Sequence, residues 1–139
     1  MTPRLQFQNG RSYQSTEDGI IIPVGVALRS QRVEAFAILD TGSEYCIFHR
    51  RIAESLGMDV EAGHRLKLRT VAGTFYAYGH EVALQTFDLE WSAMVYFHDQ
   101  SLRSQENFLG RNGWLDRVRL GLVHYDQLVY VQTYDQYTQ

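Results

Sequence analysis

The apolar run Ala35-Phe36-Ala37-Ile38-Leu39 passes without a break into Asp40-Thr41-Gly42-Ser43. An uninterrupted apolar stretch of this kind reads as a buried strand, so the residues just after it are held rigidly at the rim of a core. An acid delivered in that way is there for chemistry more often than for solubility. Thr41 and Gly42 also supply turn chemistry, which leaves Asp40 a plainer alternative as a strand-end aspartate that opens a turn. The tripeptide alone does not choose, and the surrounding pattern has to.

That pattern is β throughout. Leu5 to Gln8 reads as a short first strand, and residues 9–19 are polar and glycine-bounded, a loop or exposed hairpin end. Residues 1–19 therefore form an N-terminal strand and polar arm, with the packed domain running over 20–139. Ile20 to Leu28 and Val33 to Leu39 flank the polar break Arg29-Ser30-Gln31-Arg32, which predicts an antiparallel hairpin ending at Asp40. Tyr45-Cys46-Ile47-Phe48 is a further short strand. His49 to Leu56 carries helix formers with Ile52, Ala53 and Leu56 on one face and Gly57 as the stop.

Beyond it, Leu66 and Leu68 alternate with Lys67 and Arg69, Val71-Ala72-Gly73-Thr74 offers a turn, and Phe75 to Phe87 runs on as a long strand. Leu89 to Phe97 is a further strand and Ser101 to Glu106 a polar connector. Phe108-Leu109-Gly110 is short and apolar, and Trp114 to Val118 makes one or two helical turns. Leu120 to Val123 and Leu128 to Val131 close a last hairpin. The expected fold class is all-β with one or two short helices.

At 139 residues, 45% hydrophobic and 21% charged, the chain has the length and composition of one folded domain. A net charge of −3 leaves no basic face for phosphate contacts, which argues against nucleic acid as a partner. The apolar run from Ile20 is too short to span a bilayer and contains Pro23 and Gly25, so no membrane association is expected. Met1-Thr2-Pro3-Arg4-Leu5-Gln6 lacks the apolar core of a signal peptide, and a single cysteine, Cys46, cannot form an internal disulfide. A reducing, cytoplasmic location is the expectation.

The order apolar strand, Asp-Thr-Gly-Ser, short strand, helix, glycine-tipped hairpin and Phe108-Leu109-Gly110-Arg111-Asn112 resembles the retropepsin-like aspartic peptidases from about Ile20 to Val131. The resemblance implies a single-lobe acid-protease β-barrel and an aspartic endopeptidase that needs no cofactor and no metal. Its substrate is a peptide or protein. Hydrolysis by this route takes one carboxylate to activate water and one carboxylic acid to protonate the carbonyl oxygen, and carboxyls that close together share a proton. One Asp-Thr-Gly loop per chain then implies a C2 homodimer with Asp40 and its symmetry mate as the dyad. The manner of pairing stays open, because the chain continues well past Arg111 where viral members soon end.

In the same resemblance Thr41, Gly42 and Ser43 support the catalytic loop. Val71, Ala72, Gly73, Thr74 and Phe75 form a flap over the substrate, and Arg111, after Gly110, pairs with Glu44 as a buried brace. The Ser43 hydroxyl is placed to donate to the outer oxygen of Asp40, which would favour an acidic optimum. Phe75, Tyr76 and Tyr78 are candidates to line subsites.

Bland readings stand beside these. Cys46 lies in an apolar run and is better read as a structural thiol than as a nucleophile. His49, His64, His80, His98 and His124 show no metal-ligand spacing and read as surface or loop residues. Trp114 and Leu115 either touch substrate or pack beneath the active loop, and Arg50-Arg51 reads as a solvated helix start. For the whole chain the alternatives are a catalytically silent scaffold that binds peptides by edge pairing, or an inactive monomer awaiting a partner or processing.

Overall fold

A computed structural model describes residues 2–71, 73–99 and 106–134. The strands are β1 (Gly10–Ser12), β2 (Gln14–Thr16), β3 (Gly19–Leu28), β4 (Gln31–Leu39), β5 (Ile47–Phe48), β6 (His64–Thr70), β7 (Gly73–Thr86), β8 (Leu89–His98), β9 (Phe108–Leu109), β10 (Val118–Val123) and β11 (Leu128–Thr133). Helix α1 covers Arg50–Ser55, and 3-10 turns cover Val60–Ala62, Leu115–Arg117 and His124–Asp126. Eight strands form one sheet in the order β2-β3-β4-β9-β5-β8-β7-β6, closed on itself by a second pairing of β3 with β7. The remaining three make a small sheet in the order β1-β11-β10. The all-β class is as the sequence predicts, with one short α-helix among the described residues where one or two short helices were expected.

The long hairpins form because their residues alternate and their turns are tight. β3 and β4 pair with Val26 opposite Val33 and Ile22 opposite Ala37. β7 and β8 pair with Val82 opposite Ala93 and Leu84 opposite Trp91, all four buried. Side chains of period two then send one face of each strand into the core. Ile22, Val24 and Val26 meet Val82, Leu84, Val95 and Phe97 there. Arg29 and Phe87, both at left-handed φ of 54°, turn the two hairpins.

Trp114 sits at the bottom of this core, fully buried, and its indole Nε1 donates to Thr86 Oγ1 at 2.9 Å. It belongs to the packing rather than to a substrate surface. Trp91 lies beside it with ring centroids 6.5 Å apart and donates to the Gly113 carbonyl at 2.9 Å.

The first strand is displaced from its expected place. Residues Leu5 to Gln8 form no strand, and the polar stretch read as a loop holds β1 and β2 instead. Both are exposed along their length, so no apolar alternation announces them. They are held by pairing, β1 to β11 and β2 to β3. Tyr45 and Cys46 are not part of β5; Tyr45 makes only an isolated parallel bridge to Asn112. The connector over 101–105 lies outside the described residues.

Two histidines contradict the surface reading. His49 is buried at the N-terminus of α1, where its Nδ1 accepts the Arg51 amide at 3.0 Å. His98 is buried at the end of β8, with its ring 4.7 Å from that of Phe75. Burial pushes His98 down to about 4, the neighbouring His49 adds to the fall, and Asp99 opposes it. Below its ordinary value of 6.5 the unfolded chain takes up this proton first, so His98 costs stability increasingly as pH falls from about 6.5 toward 4.

Replacing His98 by phenylalanine removes that proton without removing the ring. The fall in Tm between pH 7 and pH 4 is expected to be smaller for His98→Phe than for the unaltered chain. The difference should correspond to about 2 kcal/mol once the linkage is discounted for solvent screening. Equal falls in Tm would show that His98 titrates alike in both states.

Candidate active site

β4 and β9 run parallel, with Ile38 beside Phe108 and Leu39 beside Leu109, so both strands end at the same rim. The loop that starts at Asp40 and the loop that starts at Gly110 emerge there side by side. The Asp40 amide donates to the Leu109 carbonyl at 3.0 Å, the Arg111 amide to Ser43 at 2.9 Å, and the Asn112 amide to Glu44 at 2.8 Å. Each bond uses a backbone group that a loop would otherwise leave unpaired, and together they lock the two loops into one unit.

Within the loop, the Gly42 amide donates to Asp40 Oδ1 at 2.9 Å. The Ser43 amide closes a turn on the Asp40 carbonyl at 3.2 Å. Asp40 is half-buried, while Thr41 and Gly42 are exposed. The carboxylate is thus aimed by a backbone donor and left open on one side.

Gly110 is fixed by space. A Cβ there would lie 2.8 Å from the Ser43 carbonyl oxygen and closer still to the carbonyl of Tyr45, both of them backbone. Only glycine permits the two loops to approach this closely. Beneath them the Gly110 amide points at Cys46 Sγ, 3.4 Å away. Burial pushes the Cys46 thiol up to about 11, which keeps it protonated and inert as a nucleophile.

Three expected contacts are made differently. The Ser43 hydroxyl donates to the Tyr45 carbonyl at 2.7 Å and not to Asp40, so it braces the loop and does not tune the carboxylate. Arg111 is exposed, and its guanidinium donates to the Thr41 carbonyl at 2.9 Å; no ion pair joins it to Glu44 among the described residues. Instead of pairing with Glu44, Arg111 grips the backbone of the loop at Thr41. The Tyr45 phenol lies beside Glu44 instead, and its pKa is raised by burial and then by the Glu44 charge.

β6 and β7 form the projecting hairpin. Val71 at its tip is fully exposed, and Gly73 takes a φ of 130°, a conformation that side chains rarely adopt. Thr74 is exposed beside it and pairs with Arg69, and Phe75 pairs with Leu68. Ala72 lies outside the described residues. Of the aromatic residues expected near substrate, Phe75 packs on His98, Tyr76 lies under the Arg65 guanidinium at 4.7 Å, and Tyr78 packs against the core.

The aspartyl protease family profile matches residues 24–106, more than half of the chain. The chain belongs to the aspartyl protease family. A search of solved structures finds the same fold in the EIAV protease complexed with the inhibitor HBY-793. The TM-score is 0.52 at 15% identity, over 70% of this chain and 86% of that one. No curated protein sequence matches. The family match stops short of Gly110 and Arg111, so in this member of the aspartyl protease family it is the hydrogen bonding, not the profile, that ties them to the Asp40 loop.

Asn107 is the residue that sequence reasoning missed. Buried, it accepts the His49 amide on Oδ1 at 2.8 Å and donates from Nδ2 to the Phe36 carbonyl at 2.9 Å. Its own carbonyl accepts the Ile38 amide at 2.7 Å. One side chain thus ties α1 and β4 together just before β9 begins. An asparagine directly ahead of the apolar pair Phe108-Leu109 was the available signal. Among the described residues no group of three or more His, Cys, Asp or Glu side chains is placed to hold a metal ion. No helix among them is long and apolar enough to cross a membrane.

Proposed function

We propose that the chain is an aspartic endopeptidase whose active site is formed by Asp40 from each of two copies related by a twofold axis. The observation that carries this reading is the single, backbone-braced Asp40-Thr41-Gly42 loop, presented half-open at the end of a core strand. One carboxylate cannot be general base and general acid in the same step. A symmetric pairing supplies the second, because an isologous interface brings identical residues together on its axis.

The dyad then holds one proton between two carboxyls. The ionised Asp40 takes a proton from water as it attacks the peptide carbonyl, and the protonated partner donates to the carbonyl oxygen. The pair titrates as a unit, so activity depends on two apparent pKa values that belong to the dyad. Thr41, Gly42 and Ser43 hold the loop, with Arg111 and Gly110 supporting it from β9. The Val71 to Phe75 tip closes over an extended peptide and excludes water from the step. The peptidase domain covers residues 20–139, and residues 1–19 are an arm whose strands complete the two sheets. A lone, buried thiol suits a reducing compartment such as the cytoplasm.

Sedimentation velocity at micromolar concentration, run alongside hydrolysis of an unfolded protein, tests the pairing. The active species is expected to sediment as a dimer, and specific activity should fall on dilution below the dissociation constant. An active species that stays monomeric at every concentration would remove the shared dyad.

A further inference from the structure

Beside the Asp40 loop, on the outer face of β8, lies a groove of about 390 Å³. Tyr45 and Asn112, which bridge to each other, both line it, so the loops that hold Asp40 also wall the groove. The rings of Tyr45 and Tyr96 lie 5.0 Å apart and tilted by 59°, with Met94 exposed beside them. Gly79 sits opposite Tyr96 in the sheet. A Cβ there would be 2.8 Å from the Tyr96 ring and 2.9 Å from the Met94 sulfur, so its absence lets both side chains lie over the sheet.

The same groove carries two acids. Glu81 Oε1 accepts the Ser92 hydroxyl at 2.7 Å and Asp116 Oδ1 accepts the Gly113 amide at 2.9 Å. Arg117 donates to the Ser92 carbonyl at 2.8 Å. It makes no ion pair with either acid among the described residues. The lining therefore carries two carboxylates against one guanidinium. An anionic side chain entering here meets uncompensated negative charge. A long side chain with an apolar stem and a cationic head finds aromatic and thioether surface and carboxylates in the same groove.

We infer that this groove receives a lysine or arginine side chain of the peptide substrate at a position removed from the scissile bond. Tyr45, Tyr96 and Glu81 are then specificity-determining residues. The inference rests on the peptidase reading for naming the occupant as substrate. Its test reads binding, which does not require turnover.

Full-length Asp40→Asn protein is offered a randomised peptide library, and the retained peptides are sequenced by mass spectrometry. Lysine and arginine together are expected to be over-represented about tenfold at one position, the preference that one charge-assisted contact supplies. Adding Glu81→Lys should abolish the preference. Glu81→Gln, which keeps an acceptor for Ser92, should weaken it while leaving the fold intact by circular dichroism. Retention without a basic preference, a preference that survives Glu81→Lys, or no retention at all overturns the inference. Hydrolysis of the retained peptides by the unaltered chain is scored separately. Peptides bound with the basic preference but left uncut would sink the peptidase reading and leave the groove's selectivity standing.

Discussion

Asp40→Asn should abolish hydrolysis of an unfolded protein substrate at mildly acidic pH, lowering kcat/KM by at least about a thousandfold, while leaving the fold and the dimer intact. The size of the effect comes from the dyad: in a homodimer the substitution removes both carboxyls at once, and with them general base and general acid together. Fold retention comes from the loop. Asparagine keeps an oxygen where Asp40 Oδ1 accepts the Gly42 amide, and the bond from the Asp40 amide to Leu109 uses backbone alone. Chromatographic elution and circular dichroism should match the unaltered protein. Unchanged cleavage by Asp40→Asn would remove Asp40 from the chemistry, and a chain that binds peptides but never cuts them would be the silent scaffold instead.

Trp114→Ala should be the most damaging single change to stability, at about 4 kcal/mol. The indole is fully buried, and truncating a buried tryptophan leaves a cavity that the surrounding sheet closes only in part. It also orphans the hydroxyl of Thr86, itself fully buried and bonded to the indole Nε1. Because a domain of this size holds only about 5–15 kcal/mol in total, the variant should unfold at markedly lower urea. Trp114→Phe separates the two contributions, since it refills most of the cavity and loses only the hydrogen bond. Denaturation at one fixed protein concentration is the measurement, because the proposed dimer would contribute to apparent stability. A Trp114→Ala midpoint shift worth less than about 1 kcal/mol would mean that the core closes over the gap.

Trp114 also marks the boundary of what the sequence reveals. Its neighbourhood, Phe108 to Leu115, is legible because glycine must stand where backbones meet, as Gly110 does between Ser43 and Tyr45. The run into Asp40 is legible as a strand but not as a fully buried one: Ala37 and Ile38 are buried while Phe36 is 63% exposed, because β4 turns alternate side chains to solvent. The strands β1 and β2 are not legible for the opposite reason. Their side chains are exposed, and a polar strand held only by its neighbour's hydrogen bonds leaves no period-two pattern.

Side-chain pairings around the site were harder still. Glu44 and Arg111 have opposite charges and the right order in the chain. Whether they meet depends on rotamers, and in the structure Arg111 takes the Thr41 carbonyl and makes no ion pair with Glu44 among the described residues. The Ser43 hydroxyl was likewise expected on Asp40, and it bonds the Tyr45 carbonyl. His49 and Asn107 hold the helix to β4 through bonds between residues 58 and 71 positions apart, which no local pattern encodes.

Every functional statement about Asp40 depends on a second copy facing the first. The separation between the two Asp40 carboxylates in a crystal structure of the dimer tests that dependence most directly. Near contact, at about 3 Å between the facing oxygens, is the distance at which two carboxyls must share a proton and the value expected here. Carboxylates held too far apart to share a proton, in a dimer that still cleaves peptides, would contradict it.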